Sequence, residues 1–215
     1  MNFIERKILF HGPYFADFYV EQTENVQQKI EHVFRIIRQV QRVPEKFLKH
    51  MTGTDGLYEI RIAVGSDIYR IFCCFDKGDL VILFNAFQKK HKGHQGTNLF
   101  SQKDLKRNTL NTGNMKKEEI KKAKSFEELL NIKYGKIGTP VRDEHEAKAN
   151  YAVICEMLKE ARKEAHITQE QLALKIGTKK SYISRLENGK CEIQLSTLFR
   201  IFETGLGREL KLTIA

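Results

Sequence analysis

Tryptophan is absent from the 215 residues, proline occurs three times, and no apolar run approaches the roughly 18 residues of a membrane-spanning helix. The last absence excludes a transmembrane helix and leaves no membrane partner to expect. The opening Met1-Asn2-Phe3-Ile4-Glu5-Arg6-Lys7 lacks the charged-then-apolar layout of a secretory signal. Cysteine is scarce as well. Cys73, Cys74, Cys155 and Cys191 have no metal-ligand spacing, and Cys73-Cys74 sits in an apolar run that reads as a strand. Buried, reduced thiols in a cytoplasmic protein are expected, with no metal and no cofactor.

Charge is plentiful but unevenly placed. The net +10 suggests a polyanionic partner, yet residues 1–88 hold 11 Lys and Arg against 11 Asp and Glu. Residues 89–124 hold 11 against 3, and residues 125–215 hold 15 against 13. The excess belongs to the middle segment, where a charge run reads as a solvated stretch and not as a binding surface.

Apolar residues recur at helical spacing over 14–42 (Phe15, Phe18, Val26, Ile30, Val33, Phe34, Ile37, Val40), which predicts one or two amphipathic helices ended by Pro44. Strand-like runs follow at Tyr58–Val64, Asp67–Phe75 and Leu80–Phe87. Gly65-Ser66 divides the first two, and Asp76-Lys77-Gly78-Asp79 reads as a hairpin turn between the last two. The expected N-terminal fold is α+β, helices plus a three-stranded antiparallel meander. Residues 91–114 show no periodicity and read as linker, with His91 and His94 as exposed linker side chains. Helical pattern returns at Met115. Ser125 is placed to cap a helix with Glu127 and Glu128 in its first turn; Gly135, Gly138 and Pro140 interrupt, and from Asp143 onward short helices are expected.

Thr168-Gln169-Glu170-Gln171-Leu172-Ala173 opens a helix with a capping box, and Leu172, Ala173 and Ile176 form its inward face. Gly177 supplies the left-handed turn. Ser181 begins a second helix with Ile183 and Leu186 inward, and Gly189 ends it. Two short helices joined by such a turn make a helix-turn-helix, whose second helix presents its N-terminal residues to base edges in the major groove. That places Thr178, Lys179, Lys180, Ser181, Tyr182 and Arg185 on DNA, with Gln169 set to bond a phosphate. Arg162 and Lys163, on the preceding helix, read as a solvated face. The Thr-Gln-x-x-Leu-Ala, Gly, Ile-Ser-x-x-Glu-x-Gly pattern closely resembles the Xre/Cro family and implies an all-α domain with its core at 151–207. The final Glu209-Leu210-Lys211-Leu212-Thr213-Ile214 alternates like a strand and is expected to pair with a second copy, making a homodimer suited to a palindromic operator.

Lys49-His50-Met51-Thr52-Gly53-Thr54-Asp55-Gly56-Leu57-Tyr58-Glu59-Ile60-Arg61, Tyr69-Arg70-Ile71-Phe72 and Phe84-Asn85-Ala86-Phe87-Gln88-Lys89-Lys90 resemble the RelE/HigB toxin superfamily, near its phage-derived branch, over residues 1–90. The resemblance implies a metal-independent, ribosome-dependent endoribonuclease whose partners are mRNA and the ribosome. Attack of a 2′-hydroxyl on the adjacent phosphate needs cations for the phosphorane and a proton carrier. Arg61 and Arg70 are the leading phosphate ligands, with Lys49 and Lys90 as further catalytic candidates, Lys89 as an additional contact, and His50 and His91 as weaker ones. In HigB/HigA systems the toxin precedes an Xre-type antitoxin, and residues 115–215 resemble a complete antitoxin. The chain thus resembles toxin (1–90) and antitoxin (125–215) joined head to tail across 91–124.

At the junction the toxin pattern breaks. Relatives continue with Thr-x-x-Thr-Pro-x-x-Glu where this chain has His91-Lys92-Gly93-His94-Gln95-Gly96. A one-nucleotide shift in a permitted codon choice restores Thr-Gln-Arg-Thr-Pro-Arg-Asn-Glu, so 91–114 is read as out-of-frame translation of two fused genes. The functional expectation is an autoregulating repressor joined to an RNase-like domain; the alternative is a DNA-binding regulator whose truncated toxin domain is inactive.

Overall fold

A computed structural model describes residues 6–76, 80–89 and 110–210. Period-two alternation puts Ile60, Ile62, Tyr69, Ile71 and Cys73 on one side of their strands, where all five are buried. These strands are β3 (Leu57–Val64) and β4 (Asp67–Asp76), paired antiparallel from Leu57–Cys74 to Val64–Asp67. β5 (Leu80–Lys89) runs antiparallel to β4. The expected meander is the centre of a larger sheet. β1 (Lys7–Phe10) adds parallel to β5, and β2 (Leu48–His50) adds antiparallel to β3, giving the order β1-β5-β4-β3-β2. The two edge strands have four and three residues, too few to show a period of their own. The expected turn falls at residues 77–79, outside the described residues.

The predicted helical stretch is two helices, α1 (Tyr14–Val20) and α2 (Glu24–Gln39). Val26, Ile30, Val33, Phe34 and Ile37 form the buried stripe of α2, and Phe34 meets Phe15 at 5.2 Å and Phe126 at 5.3 Å. Truncating such a side chain to alanine costs about 3–5 kcal/mol.

Helical structure resumes with α3 (Leu110–Lys121), five residues ahead of Met115, followed by α4 (Phe126–Tyr134). Ser125 caps α4 as expected, accepting from the Glu128 N–H at 3.2 Å. One expectation needs correcting. Pro140 does not interrupt a helix but begins α5 (Pro140–Glu164), a single helix of 25 residues where short ones were expected. Proline is tolerated there because the first helical N–H has no intrahelical acceptor. At 1.5 Å per residue α5 is about 37 Å long, and it joins two cores. Val153 and Met157 enter the core under the sheet, which also takes Ile120, Ala123, Phe126, Leu129 and Leu130. Leu158 and Ala161 enter a second core with Leu172, Ala173, Ile176, Ile183, Leu186, Leu198, Ile201 and Phe202.

That second core is built by α6 (Gln169–Lys175), α7 (Lys180–Glu187), α8 (Leu195–Arg200) and a π-helical turn at Ile201–Gly205. Gly205 is there for space: a Cβ would lie 2.5 Å from Leu172 Cδ1 and 3.0 Å from Ile176 Cγ2. Glu209 and Leu210 are not in a strand, and the rest of the expected terminal strand lies outside the described residues. The fold is thus an antiparallel-rich sheet with helices, followed by a helical domain. No helix among the described residues is long and apolar enough to cross a membrane.

Candidate nucleic-acid interface

The geometry of the C-terminal unit starts at Thr168. Its hydroxyl accepts from the Gln171 N–H at 3.1 Å, and the Gln171 side chain accepts from the Thr168 N–H at 2.7 Å. This completes the predicted capping box and fixes where α6 begins. Gly177 takes φ +67°, and the Thr178 N–H donates to Ala173 at 2.8 Å to close the turn. α7 then starts at Lys180 and runs two turns to Glu187.

A buried ion pair sets the angle of α7. Arg162, on α5, bonds both Glu187 oxygens, Nε to Oε1 at 2.5 Å and the guanidinium to Oε2 at 2.9 Å, and also donates to the Ile167 carbonyl at 2.8 Å. Glu187 keeps Arg162 firmly protonated despite its burial. The reading of Arg162 as a solvated side chain is therefore corrected; Lys163 is exposed as expected. The apolar face of α5 rotates toward the second core near its end, carrying Arg162 inward to the one acid on α7. Gln169 also donates to Glu187, at 2.8 Å, which uses one of its two amide N–H groups.

Lys179, Lys180, Ser181 and Arg185 are exposed along α7, and Thr178 is half-buried beside them. Lys180 has Glu170 3.9 Å away; Lys179 and Arg185 have no carboxylate partner among the described residues. Tyr182 differs. Its ring packs against the second core, and burial raises its phenol pKa. Tyr151 donates to the Cys191 carbonyl at 2.5 Å and so pins the loop that follows α7 to α5.

On the sheet, register places the other candidates. Ile60 and Ile71 pair and face the core, so Glu59, Arg61, Arg70 and Phe72 share the opposite face. Arg61 lies directly across from Arg70, and Lys49 directly across from Glu59. Phe87, across from Arg70, is exposed and lies 5.6 Å from Phe72. The structure thus brings Lys49, Arg61 and Arg70 together. His50 pairs with Tyr58, so it lies on the other face, in edge contact with that ring at 5.0 Å. Lys90 and His91 lie outside the described residues.

Glu59 is the residue that sequence reasoning missed. Its carboxylate takes Arg61 Nε at 2.7 Å and also Arg70, while Lys49 pairs with Glu45 at 3.3 Å. Alternation in Glu59-Ile60-Arg61 was the available signal: an acid two residues from an arginine in a strand lies beside it.

Residues 158–204 match the family model described as helix-turn-helix. The C-terminal unit is an Xre-type helix-turn-helix domain. The match supports DNA binding by this unit. Residues 17–108 match the model described as phage-derived protein, Gp49-like. This second match runs past Lys90, through most of the segment expected to be linker. No curated protein and no solved structure matches the chain.

Proposed function

We propose that the chain is a toxin–antitoxin protein of the HigB/HigA kind, in which an Xre-type repressor of its own operon follows a RelE-like toxin domain, with units at 1–90 and 125–215. One observation carries the repressor reading: the outward face of α7 holds Lys179, Lys180, Ser181 and Arg185, while its inward face is locked by the Arg162–Glu187 pair. A rigid helix with exposed cations along its outward face is what major-groove reading needs. The test is a gel shift of the full chain on a duplex from upstream of its own gene. A retarded complex at low salt is expected, where phosphate contacts are strongest, and no complex there defeats the reading.

A second reading has its own support. Lys49, Arg61 and Arg70 converge on a sheet face that neither α2 nor α4 covers, because both helices pack on the core side. There they would hold a scissile RNA phosphate, with Lys90 supplying a further cation. Cleavage of ribosome-bound mRNA by the full chain, lost in Arg61→Ala and Arg70→Ala, is the expected result. Absence of cleavage leaves a regulator with an inactive toxin-like domain. The full chain is the right reagent, since Phe126, Leu129 and Leu130 complete the core beneath the sheet. The out-of-frame origin of 91–114 is tested by the gene: a one-nucleotide shift near codon 90 must open a toxin-like tail.

A further inference from the structure

A cleft of about 470 Å³ lies between the first half of α2 and the middle of α5, and its end wall is Glu187, Asn188 and Gly189, the end of α7 and the turn after it. The α2 side is a polar stripe at helical spacing, Asn25, Gln28, Lys29 and His32; the α5 side carries Glu156 and Lys159. Lys46 bridges Glu156 at 2.5 Å and Glu160 at 2.6 Å, and Glu187 is taken by Arg162. Lys29 and Lys159 have no carboxylate bonded to them among the described residues. Burial, and then repulsion from Lys46 and Lys159, lower the pKa of Lys29, and Glu156 only partly offsets them. His32 is kept neutral at ordinary pH by burial and by Lys29. Lys29 and Lys159 thus line the cleft with Glu156 near them but with no carboxylate hydrogen-bonded to either among the described residues.

The cleft's position says which polyanion these two lysines would meet. An eight-residue α7 is about 12 Å long, comparable to the width of the major groove. With the helix's N-terminal half at the bases, its far end and the exposed Asn188-Gly189-Lys190 turn reach the groove's rim, where the phosphates run. The cleft continues that surface onto the toxin-like half.

We infer that Lys29 of α2 and Lys159 of α5, with Asn25 and Gln28, bind the sugar-phosphate backbone of duplex DNA beside the groove read by α7, so that the toxin-like domain is part of the DNA clamp. This rests on the DNA-binding reading above. Backbone contacts add affinity and salt dependence and carry no base preference.

The test measures binding of the full chain to the upstream duplex and to a scrambled duplex across a salt series. Lys29→Gln/Lys159→Gln is expected to shallow the slope of log K against log salt by about two and to weaken both duplexes alike, by roughly tenfold near physiological salt. The charge-keeping Lys29→Arg/Lys159→Arg should restore the slope. In the wild-type chain, DNA should protect Lys29 and Lys159 from an amine-acylating reagent, a readout independent of how the variants fold. Unchanged slope, or undiminished acylation of both lysines in a formed complex, overturns the inference while leaving the α7 reading intact. Failure of the wild-type chain to bind any duplex overturns both.

Discussion

The two cationic surfaces of this chain are built oppositely. On the sheet, Arg61 and Arg70 face each other across strands and share the Glu59 carboxylate. On α7, the acid is turned inward to Arg162, and Lys179, Lys180 and Arg185 are left outward. A polyanion reaching the sheet must displace Glu59 and recover the cost of leaving it unpaired; one reaching α7 displaces water and counterions. The same residue types therefore carry different readiness, and the position of one carboxylate decides it.

The largest expected effect tests the inward acid. Glu187→Ala leaves Arg162 buried and uncompensated, a loss of about 3–5 kcal/mol, with DNA binding lost together with the α5–α7 angle. Denaturant unfolding checks this, and a loss under about 1 kcal/mol would show the pair to be dispensable.

The seam between the halves should respond to acid next. Burial pushes Glu31 up, but hydrogen bonds from His145, Lys133 and Tyr19 outweigh it and hold the carboxyl at about 2, against an ordinary 4.5. Its stabilisation is present above pH 4.5 and lost as pH falls toward 2. Burial lowers His32 from 6.5 to about 4, so the unfolded chain takes up that proton first and stability already begins to fall below pH 6.5. Thermal melts across pH 7 to 3 should show this two-stage decline. His32→Gln should remove the earlier stage alone, and a decline that keeps its onset in that variant contradicts the assignment.

Glu59→Gln sharpens the comparison on the sheet. Releasing both guanidiniums should raise affinity for single-stranded RNA roughly tenfold, about 1.4 kcal/mol. Filter binding measures it; an unchanged or weaker affinity means Glu59 orients the arginines and does not mask them. The smallest effect lies at the end of α5, where His166 has φ +56°. His166→Gly should stabilise the chain by about 1 kcal/mol through relief of that conformation, read from the unfolding midpoint.

Much of this was legible in residue order. The stripe of α2, the central strands, the Ser125 cap, the Thr168–Gln171 capping box and the exposed cations of α7 follow from local periodicity and hydrogen-bonding chemistry. The edge strands β1 and β2 were not, because their pairing is decided by the neighbours they dock on. Nor was the seam between the halves. Glu31 bonds Lys133 at 2.8 Å and Tyr134 at 2.9 Å, while Arg35 and Arg142 share Glu146, and all of these pairs but the last lie about a hundred positions apart. Arg162 was misread for the same reason: its partner is 25 residues away on another helix.

The most direct measurement is fluorescence anisotropy of the full chain on the labelled upstream duplex, wild type against Lys179→Ala/Lys180→Ala/Arg185→Ala. The account predicts that the wild type binds, that its affinity falls steeply with salt, and that the triple variant keeps its fold but loses both the affinity and its excess over a scrambled duplex. A folded triple variant that binds the upstream duplex as tightly and as selectively as the wild type would contradict it.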